Sequence, residues 1–337
     1  MNVYIIVTKE KDYECGVREY SKLLSTKLNQ SSINCQLIEI KKYDFSNLLA
    51  LRSKIIKNSK VIVQYPSKSM GYSPALFFLP WLLKNRDLII FLHEFSIFSV
   101  YRKLLLLVNC FYCTFGFTNK IEVSKFQNFF FWKKISKFIL PLPSNIEYSN
   151  KQNQNYEDHR ICFFGHIRDD MRNIFQFLEI VDEIKRQQPA IKIQVFGSLF
   201  VKSHTKRKKI LKKFYETKIE FYEKLTSEQL SAKLHKVKVA ILPLIEGVSE
   251  KKATVFACLE HEINVFTNQS EITPRWLRLL TYSIDNMKNK EVAHKVLKVF
   301  NTPNKELKIE NNKKILQSFI EIHSWERLVK IYKRILN

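Results

Sequence analysis

No stretch of this chain is long and apolar enough to cross a bilayer. The longest apolar run, Leu104 to Phe117, is interrupted by Asn109 and falls short of the ~20 residues a membrane helix needs. The opening "MNVYIIVTKEKDYECG" turns charged at Lys9 and carries no cleavage pattern, so no secretory leader is expected. Six cysteines (Cys15, Cys35, Cys110, Cys113, Cys162, Cys258) are scattered through apolar runs and read as buried thiols of a reducing cytoplasm. Cys110-x-x-Cys113 has neither a second pair nor a nearby histidine, which weighs against redox or zinc chemistry. Asp-x-Asp is absent, so a metal-bridged diphosphate would lack its usual carboxylates, and the metal expectation is none. Helix-turn-helix, RNP-like and zinc-finger patterns are also missing, which argues against a specific nucleic-acid partner.

Acidic residues are scarce too. Against 32 Asp and Glu stand 56 Lys and Arg, a net charge of +24. Such a balance attracts polyanions: nucleic acid, anionic lipid headgroups or phosphorylated substrates. The bland counterpart is a lysine-rich composition that merely solvates the surface. What is plentiful is ordinary globular material, 45% apolar and 26% charged over 337 residues, enough for two domains.

Alternating signals organise the chain. "NVYIIVT", "NCQLIEI", "KVIVQY" and "DLIIFL" read as strands, with helices over "VREYSKLLSTKL", Leu48 to Ile56 and Ala75 to Leu83. Near-continuous apolar strands separated by helices predict a parallel sheet covered on both faces. The polar stretch "PLPSNIEYSNKQNQNYEDHR" then breaks the periodicity, placing a boundary near Asn150. The second half restarts with "RICFFG", "IKIQVFG", "KIEFY" and "VKVAILPL" as strands and "NIFQFLEIVDEIKRQQ" and "SEQLSAKLHK" as helices. "KFQNFFFWKKISKF", Lys125 to Phe138, interleaves aromatics with lysines, as a helix on a membrane surface or a core helix with snorkelling lysines would. "KSHTKRKKILKK", Lys202 to Lys213, reads as a solvated helix face.

Ligands on doubly wound sheets sit beyond the carboxyl ends of the strands. That rule selects four loops: Gly16, His93-Glu94, Gly165 to Arg172, and Glu246 to Thr254. In "IEGVSEKKATVF" a tight turn at Glu246-Gly247 leads into a helix beginning near Lys251, Lys252 and Thr254, with Val248 and Ser249 between. Helix starts present unpaired N–H groups and a positive dipole end that attract anions. Lysines there are unfavourable unless an anion is present, which favours a phosphate site. "FFGHIRDDMR" offers a second loop, with Gly165 admitting the anion and Arg168 and Arg172 supplying bidentate contacts. The two loops could clamp one diphosphate, neutralised by Arg168, Arg172, Lys251, Lys252 and helix N-termini.

These residues resemble glycosyltransferases of the GT-B fold, in particular a family-4-like branch of bacterial polysaccharide assembly. The branch signature "P-[ILF]-x-[DE]-G-V-S-x-[RK]-[RK]-x-[ST]" is met by Pro243, Glu246, Gly247, Val248, Ser249, Lys251, Lys252 and Thr254. "VIVQYPSKSMGYSPAL", "FLHEF", "LPLPSNI", "FFGHIRDD" and "SWERLVKIYKRIL" are similar to further segments of the branch, in the same order along nearly the whole chain.

The resemblance implies an α/β GT-B fold: two Rossmann-like doubly wound domains facing a cleft. Residues 1–150 would bind the acceptor, joined by a closing helix at 324–337, and 151–323 the donor. It implies a hexosyltransferase-type activity, without a required cofactor, that moves sugar from a UDP- or GDP-sugar to a glycan or lipid-linked acceptor. The setting would be surface polysaccharide or capsule synthesis, in the cytoplasm at the inner, anionic membrane face, with retention of anomeric configuration. Glu246 would contact donor-sugar hydroxyls, Glu94 and His93 would face the sugar, and Gly16 would lie on the acceptor side. The bland alternatives are a capping carboxylate for Glu94 and a core histidine for His93. Three positions depart from the branch: Thr254 replaces a second glutamate, Met171 a lysine with Arg172 one place later, and Glu262 a glycine. A non-catalytic GT-B scaffold subunit and a basic nucleic-acid-binding protein remain the rival readings.

Overall fold

Short apolar runs, buried on both faces, build two parallel sheets. The computed structural model describes residues 2–9, 16–66, 73–84, 86–146, 160–168, 173–303 and 306–336. It divides into two compact units, Met1–Asn145 with His323–Asn337, and Ile146–Ile322. The position near Asn150 lies outside the described residues.

In unit 1 the strands are β1 (Asn2–Thr8), β2 (Asn34–Ile40), β3 (Lys60–Tyr65), β4 (Asp87–Leu92), β5 (Cys113–Phe117) and β6 (Lys137–Ile139). They pair in the order β2-β1-β3-β4-β5-β6, all parallel. After Asn2 every residue of β1 is buried, because helices cover both faces of the sheet. The helix Gly16–Gln30 turns Tyr20, Leu24 and Leu28 inward, a stripe at i, i+4 spacing. Beside it lies the closing helix Trp325–Leu336, which buries Trp325, Leu328, Val329, Tyr332 and Leu336. The Trp325 ring stacks on Tyr20 at 5.5 Å, and its indole N–H donates to the Ser144 carbonyl at 3.0 Å. The opposite face packs under the helices Phe45–Lys54, Leu79–Leu82, Asn109–Tyr112 and Lys120–Phe129.

Two expected helices take another form. The aromatic–lysine stretch Lys125 to Phe138 is not one helix. The helix Lys120–Phe129 stops once Phe126 and Phe130 are buried, and Lys137–Ile139 returns to pair with β5 as an edge strand. Further helix would carry the buried Ile135 away from the core. Ala75 to Leu83 splits into a 3-10 turn at Pro74–Leu76 and the short helix Leu79–Leu82. Pro80 sits in the first turn of that helix, where its missing N–H is tolerated but a longer continuous helix is not.

Unit 2 contains β7 (Arg160–Phe164), β8 (Ile167–Arg168), β9 (Lys192–Phe196), β10 (Leu199–Phe200), β11 (Glu220–Tyr222), β12 (Val237–Leu242), β13 (Asn264–Thr267) and β14 (Thr281–Ser283). Six of them form a parallel sheet in the order β11-β9-β7-β12-β13-β14, while β8 and β10 pair separately. The chain therefore starts in the middle, runs outward one way, then returns and runs outward the other way. The direction reverses between β7 and β12, the switch point of a doubly wound sheet. The helix His204–Glu216 buries only Ile210 and Phe214, so its lysines lie on a solvated face.

The helix Ala253–Glu260 ends with Glu262 at φ 56°. Ile263 N–H donates to Cys258 O and Glu262 N–H to Leu259 O, each at 2.9 Å. This is the helix ending in which glycine is favoured at the left-handed position. Glu262→Gly is expected to raise stability by roughly 1 kcal/mol in urea denaturation.

Just before it, His261 is buried, with Nδ1 against Ala257 O at 2.7 Å and Nε2 against Ser231 Oγ at 2.8 Å. A neutral ring donating from Nδ1 and accepting the Ser231 hydroxyl proton satisfies both contacts. Burial, with a smaller push from His235, lowers its pKa from 6.5 to about 4. The unfolded chain takes up this proton at a higher pH than the fold does. Its stabilising contribution is therefore full above pH 6.5 and is lost as pH falls toward about 4. His261→Gln is expected to flatten the slope of unfolding free energy against pH across that window.

Candidate functional site

The switch point of unit 2 brings together two of the loops singled out by sequence. Gly165 follows β7 at φ 121°, and its N–H donates to Phe196 O at 2.8 Å. On the neighbouring strand end Gly197 holds φ 127°, and a Cβ there would lie 2.5 Å from Gly165 O. The two backbones thus touch directly, with no room for a side chain between them. His166 Nδ1 accepts from Ser198 N–H at 3.3 Å, and the Arg168 guanidinium lies over the Phe200 ring at 5.9 Å. Arg172 lies outside the described residues.

The chain re-enters at Asn173, which caps the helix Ile174–Gln187 by accepting from Gln176 N–H at 3.1 Å. Asn173 N–H in turn donates to Pro243 O at 3.0 Å. That bond ties the start of one helix to the first residue after β12, where the Glu246 to Thr254 loop begins.

The turn itself is shaped by Gly247, at φ 79°, whose N–H donates to Leu244 O at 3.1 Å. Val248 is fully buried, donates to Asn268 O at 2.9 Å and accepts from Thr273 Oγ1 at 2.6 Å. Beyond it Ser249 accepts from Lys252 N–H at 3.2 Å. Lys252 occupies the cap position of the helix Ala253–Glu260, without a side-chain cap bond and without an acidic residue in the first turn. The helix Ile174–Gln187 also lacks a first-turn acid. Two positive helix ends therefore flank one pair of strand ends, with Ser249, Lys251, Lys252 and Thr254 half-buried at the second. Carboxylates would ordinarily stabilise such ends. At the second, Lys251 and Lys252 stand where a carboxylate is the usual residue. Glu246 is exposed in the turn.

In unit 1 the chosen residues behave differently from one another. Gly16 opens its helix in open space, and its carbonyl accepts from Asn145 Nδ2 at 3.3 Å. His93 is buried; its Nε2 sits 2.7 Å from Gln64 Oε1, and its ring lies edge-on to Phe91 and Tyr20. It occupies the place of a core histidine. Glu94 is exposed and makes no side-chain cap bond to the turn Phe95–Ile97. The carboxylate that satisfies that turn is Glu122, buried, accepting from Ser96 N–H and Oγ at 2.7 Å each. The switch point of this sheet falls between β1 and β3 rather than at β4. The adjoining residues 10–15 and 67–72 are outside those described.

Several residues of the unit 2 site escape sequence reasoning. Gly197 ends a strand as Gly165 does, and the same strand–glycine pattern in "IKIQVFG" would have found it. Ser270 and Thr273 carry no such signal. They follow β13 and brace the turn: a Cβ on Gly247 would meet Ser270 Oγ at 2.6 Å and Ser270 N at 3.0 Å. Among the described residues no group of three or more His, Cys, Asp or Glu side chains stands together. Cys110 and Cys113 are buried free thiols, with burial pushing Cys110 up to about 12; Cys15 is outside the described residues.

The two glycines should respond oppositely to a methyl group. Gly247→Ala is expected to lose roughly 2 kcal/mol of stability, from the left-handed backbone and the clash with Ser270. Gly16→Ala, with nothing within 4 Å of its added Cβ, should gain roughly 0.5 kcal/mol. Paired chemical denaturation curves check both.

No protein-family model matches the chain, and no curated protein matches it. Solved structures do. The chain is similar to a glycosyltransferase from Rickettsia africae ESF-5 with a TM-score of 0.68 and 10% identity, covering 99% of this chain and 97% of that one. It is similar to Anabaena HepE in complex with UDP and glucose at TM-score 0.63 and 9% identity, covering 99% and 100%. A mutant of S. aureus TarM, solved with fondaparinux, α-GlcNAc-glycerol and UDP, gives TM-score 0.60 and 16% identity over 86% of this chain. This chain spans only 58% of the length of TarM. At these identities the likeness concerns the fold, and the fold, with a six-stranded parallel sheet in each unit, is that of the GT-B glycosyltransferases.

Proposed function

We propose that the protein is a hexosyltransferase that moves a sugar from a UDP-sugar to a glycan or lipid-linked acceptor in surface polysaccharide or capsule synthesis. The observation that carries this reading is the pair of helix starts without an acidic residue in the first turn at the unit 2 switch point, joined by the Asn173–Pro243 hydrogen bond. The solved proteins of the same fold that were crystallised with UDP support the choice of uridine nucleotide.

In this reading unit 2 is the donor domain. The diphosphate lies close against the backbone at Gly165, Gly247 and Val248, whose N–H groups are engaged within the fold, and is held by the Ser249 and Thr254 hydroxyls and the cations of Arg168, Arg172, Lys251 and Lys252. These cations and the helix dipoles stabilise the charge that builds on the leaving UDP, without a required metal ion. Glu246, exposed in the same turn, holds hydroxyls of the donor sugar. Unit 1 is the acceptor domain, with Gly16 on the acceptor side. Glu94, exposed after β4, is the unit 1 carboxylate assigned to acceptor activation or to stabilising oxocarbenium-like charge. His93, next to Glu94 and held by Gln64 and the flanking rings, is assigned with it to the sugar-facing side of unit 1. Retention of configuration and a cytoplasmic setting belong to the same proposal and follow from the resemblance of the motifs.

Charge-assisted hydrogen bonds contribute about 1.5–3 kcal/mol. Lys251→Ala and Lys252→Ala are each expected to weaken UDP binding by about tenfold or more in titration calorimetry. Wild-type affinity in the double variant would overturn the donor-site assignment.

A further inference from the structure

Unit 1 shows an asymmetry that glycosyl transfer does not explain. Of the twenty large apolar side chains exposed among the described residues, fourteen lie in this unit, all between Phe45 and Trp132. None belongs to the helices Gly16–Gln30 and Trp325–Leu336 that cover the other face of the sheet. The exposed rings touch one another: Phe45 to Phe78 at 5.5 Å, Phe78 to Trp81 at 5.6 Å, and Trp81 to Tyr112 at 6.4 Å. Phe111, next to Tyr112, lies under Lys133 Nζ at 4.7 Å, and Phe131, 81% exposed, packs on Trp132 at 5.3 Å. The rings at 111–112 directly precede β5, and Trp81 and Lys133, which lie in the segments leading to β4 and β6, contact them, so the rings gather near the amino ends of those strands. Soluble proteins rarely leave so many large rings in water without a partner.

Asp44 and Asp87 stand near the rings of Phe45 and Trp81, but around the rings that follow β4 the charge is one-sided. Over residues 95–140 the sole acidic side chain is Glu122, which is buried and committed to Ser96. Lys120, Lys125, Lys133, Lys134 and Lys137 are all exposed there. Protein–protein interfaces gather aromatics at a centre from which lysine is depleted. Here lysines and rings alternate within the patch, and Lys133 lies directly over a ring. That mixture suits a lipid headgroup layer: aromatic rings settle at the interface while lysine stems reach the phosphates.

We infer that this face of unit 1 docks on an anionic lipid bilayer, with Phe131 and Trp132 inserted and Lys133 and Lys134 on the headgroups. No helix among the described residues is long and apolar enough to cross a membrane, so the association is peripheral and reversible. It does not depend on the donor site of unit 2.

The test is co-sedimentation of the full chain with vesicles of phosphatidylglycerol and phosphatidylcholine, against vesicles of phosphatidylcholine alone. The wild type is expected to pellet with the anionic vesicles and to be released by salt, since screening shortens the reach of the charges. Lys133→Ala with Lys134→Ala should weaken partition by about fivefold per lysine. Phe131→Ser with Trp132→Ser should weaken it by about tenfold or more. All four side chains are exposed, so circular dichroism should be unchanged, and UDP affinity should match the wild type, which separates this result from failure of the donor site. Equal pelleting with both vesicle types, indifference to both double variants, or a dimer lost in Phe131→Ser, Trp132→Ser without any vesicle binding would each overturn the inference.

Discussion

The candidate donor site depends on one backbone contact, the N–H of Asn173 donating to the carbonyl of Pro243. Asn173 closes the connection that follows β7 and Pro243 opens the one that follows β12, and the bond fixes their spacing before any side chain takes part. Given that spacing, the helices Ile174–Gln187 and Ala253–Glu260 start beside neighbouring strand ends and their positive poles reinforce one another. Gly165 and Gly197 extend the constraint along the sheet. Their backbones meet at a distance that excludes a Cβ, so the floor of the site is peptide groups rather than side chains. A floor of peptide groups hydrogen-bonded within the sheet has no rotamers to change and is organised before a ligand arrives.

How much of this was legible in the sequence differs by level. Strands such as "NVYIIVT" and "VKVAILPL" declare themselves because burial on both faces leaves no polar alternation. The Gly247 turn and Lys251-Lys252 were readable because glycine, hydroxyls and cations at a helix start need an explanation that solvation does not supply. Strand order was not readable. That β7 lies between β9 and β12 is decided by packing between distant segments, and so the Asn173–Pro243 contact was invisible. The same holds for Ser270 and Thr273, ordinary residues made important only by what Gly247 leaves open. His93 shows the limit from the other side: a histidine after a strand looks alike in sequence whether it reacts or packs, and its contacts with Gln64, Phe91 and Tyr20 are set by distant segments. The stretch Lys125 to Phe138 misled through its aromatics, which suit helix and edge strand equally until Phe130 is buried.

The two faces of the first sheet use similar side chains to opposite ends. On one, Tyr20 and Trp325 stack and the closing helix removes Leu328, Tyr332 and Leu336 from water. Truncating Trp325 there would cost about 3–5 kcal/mol, as for other large buried aromatics. On the other, rings of comparable size remain exposed and in mutual contact. The difference is not composition but whether a described element lies over the rings. The helices Phe45–Lys54, Leu79–Leu82, Asn109–Tyr112 and Lys120–Phe129 cover the second face of the sheet, and the exposed rings and neighbouring lysines stand on the outer side of that helix layer.

Net charge alone does not separate these roles, but local setting does. On the helix His204–Glu216 the lysines stand on a solvated face with only Ile210 and Phe214 buried beneath, where a cation is at little cost. Lys133 and Lys134 stand among rings, where the ammonium keeps its water while the stem lies on apolar surface. Lys251 and Lys252 stand at the positive end of a helix dipole, half-buried, the one setting of the three that opposes a cation. A chain bearing +24 already repels itself, so adding cations where the backbone field is positive is the least favourable place to put them. A diphosphate bridging both helix starts, as proposed for the donor, would offset that opposition.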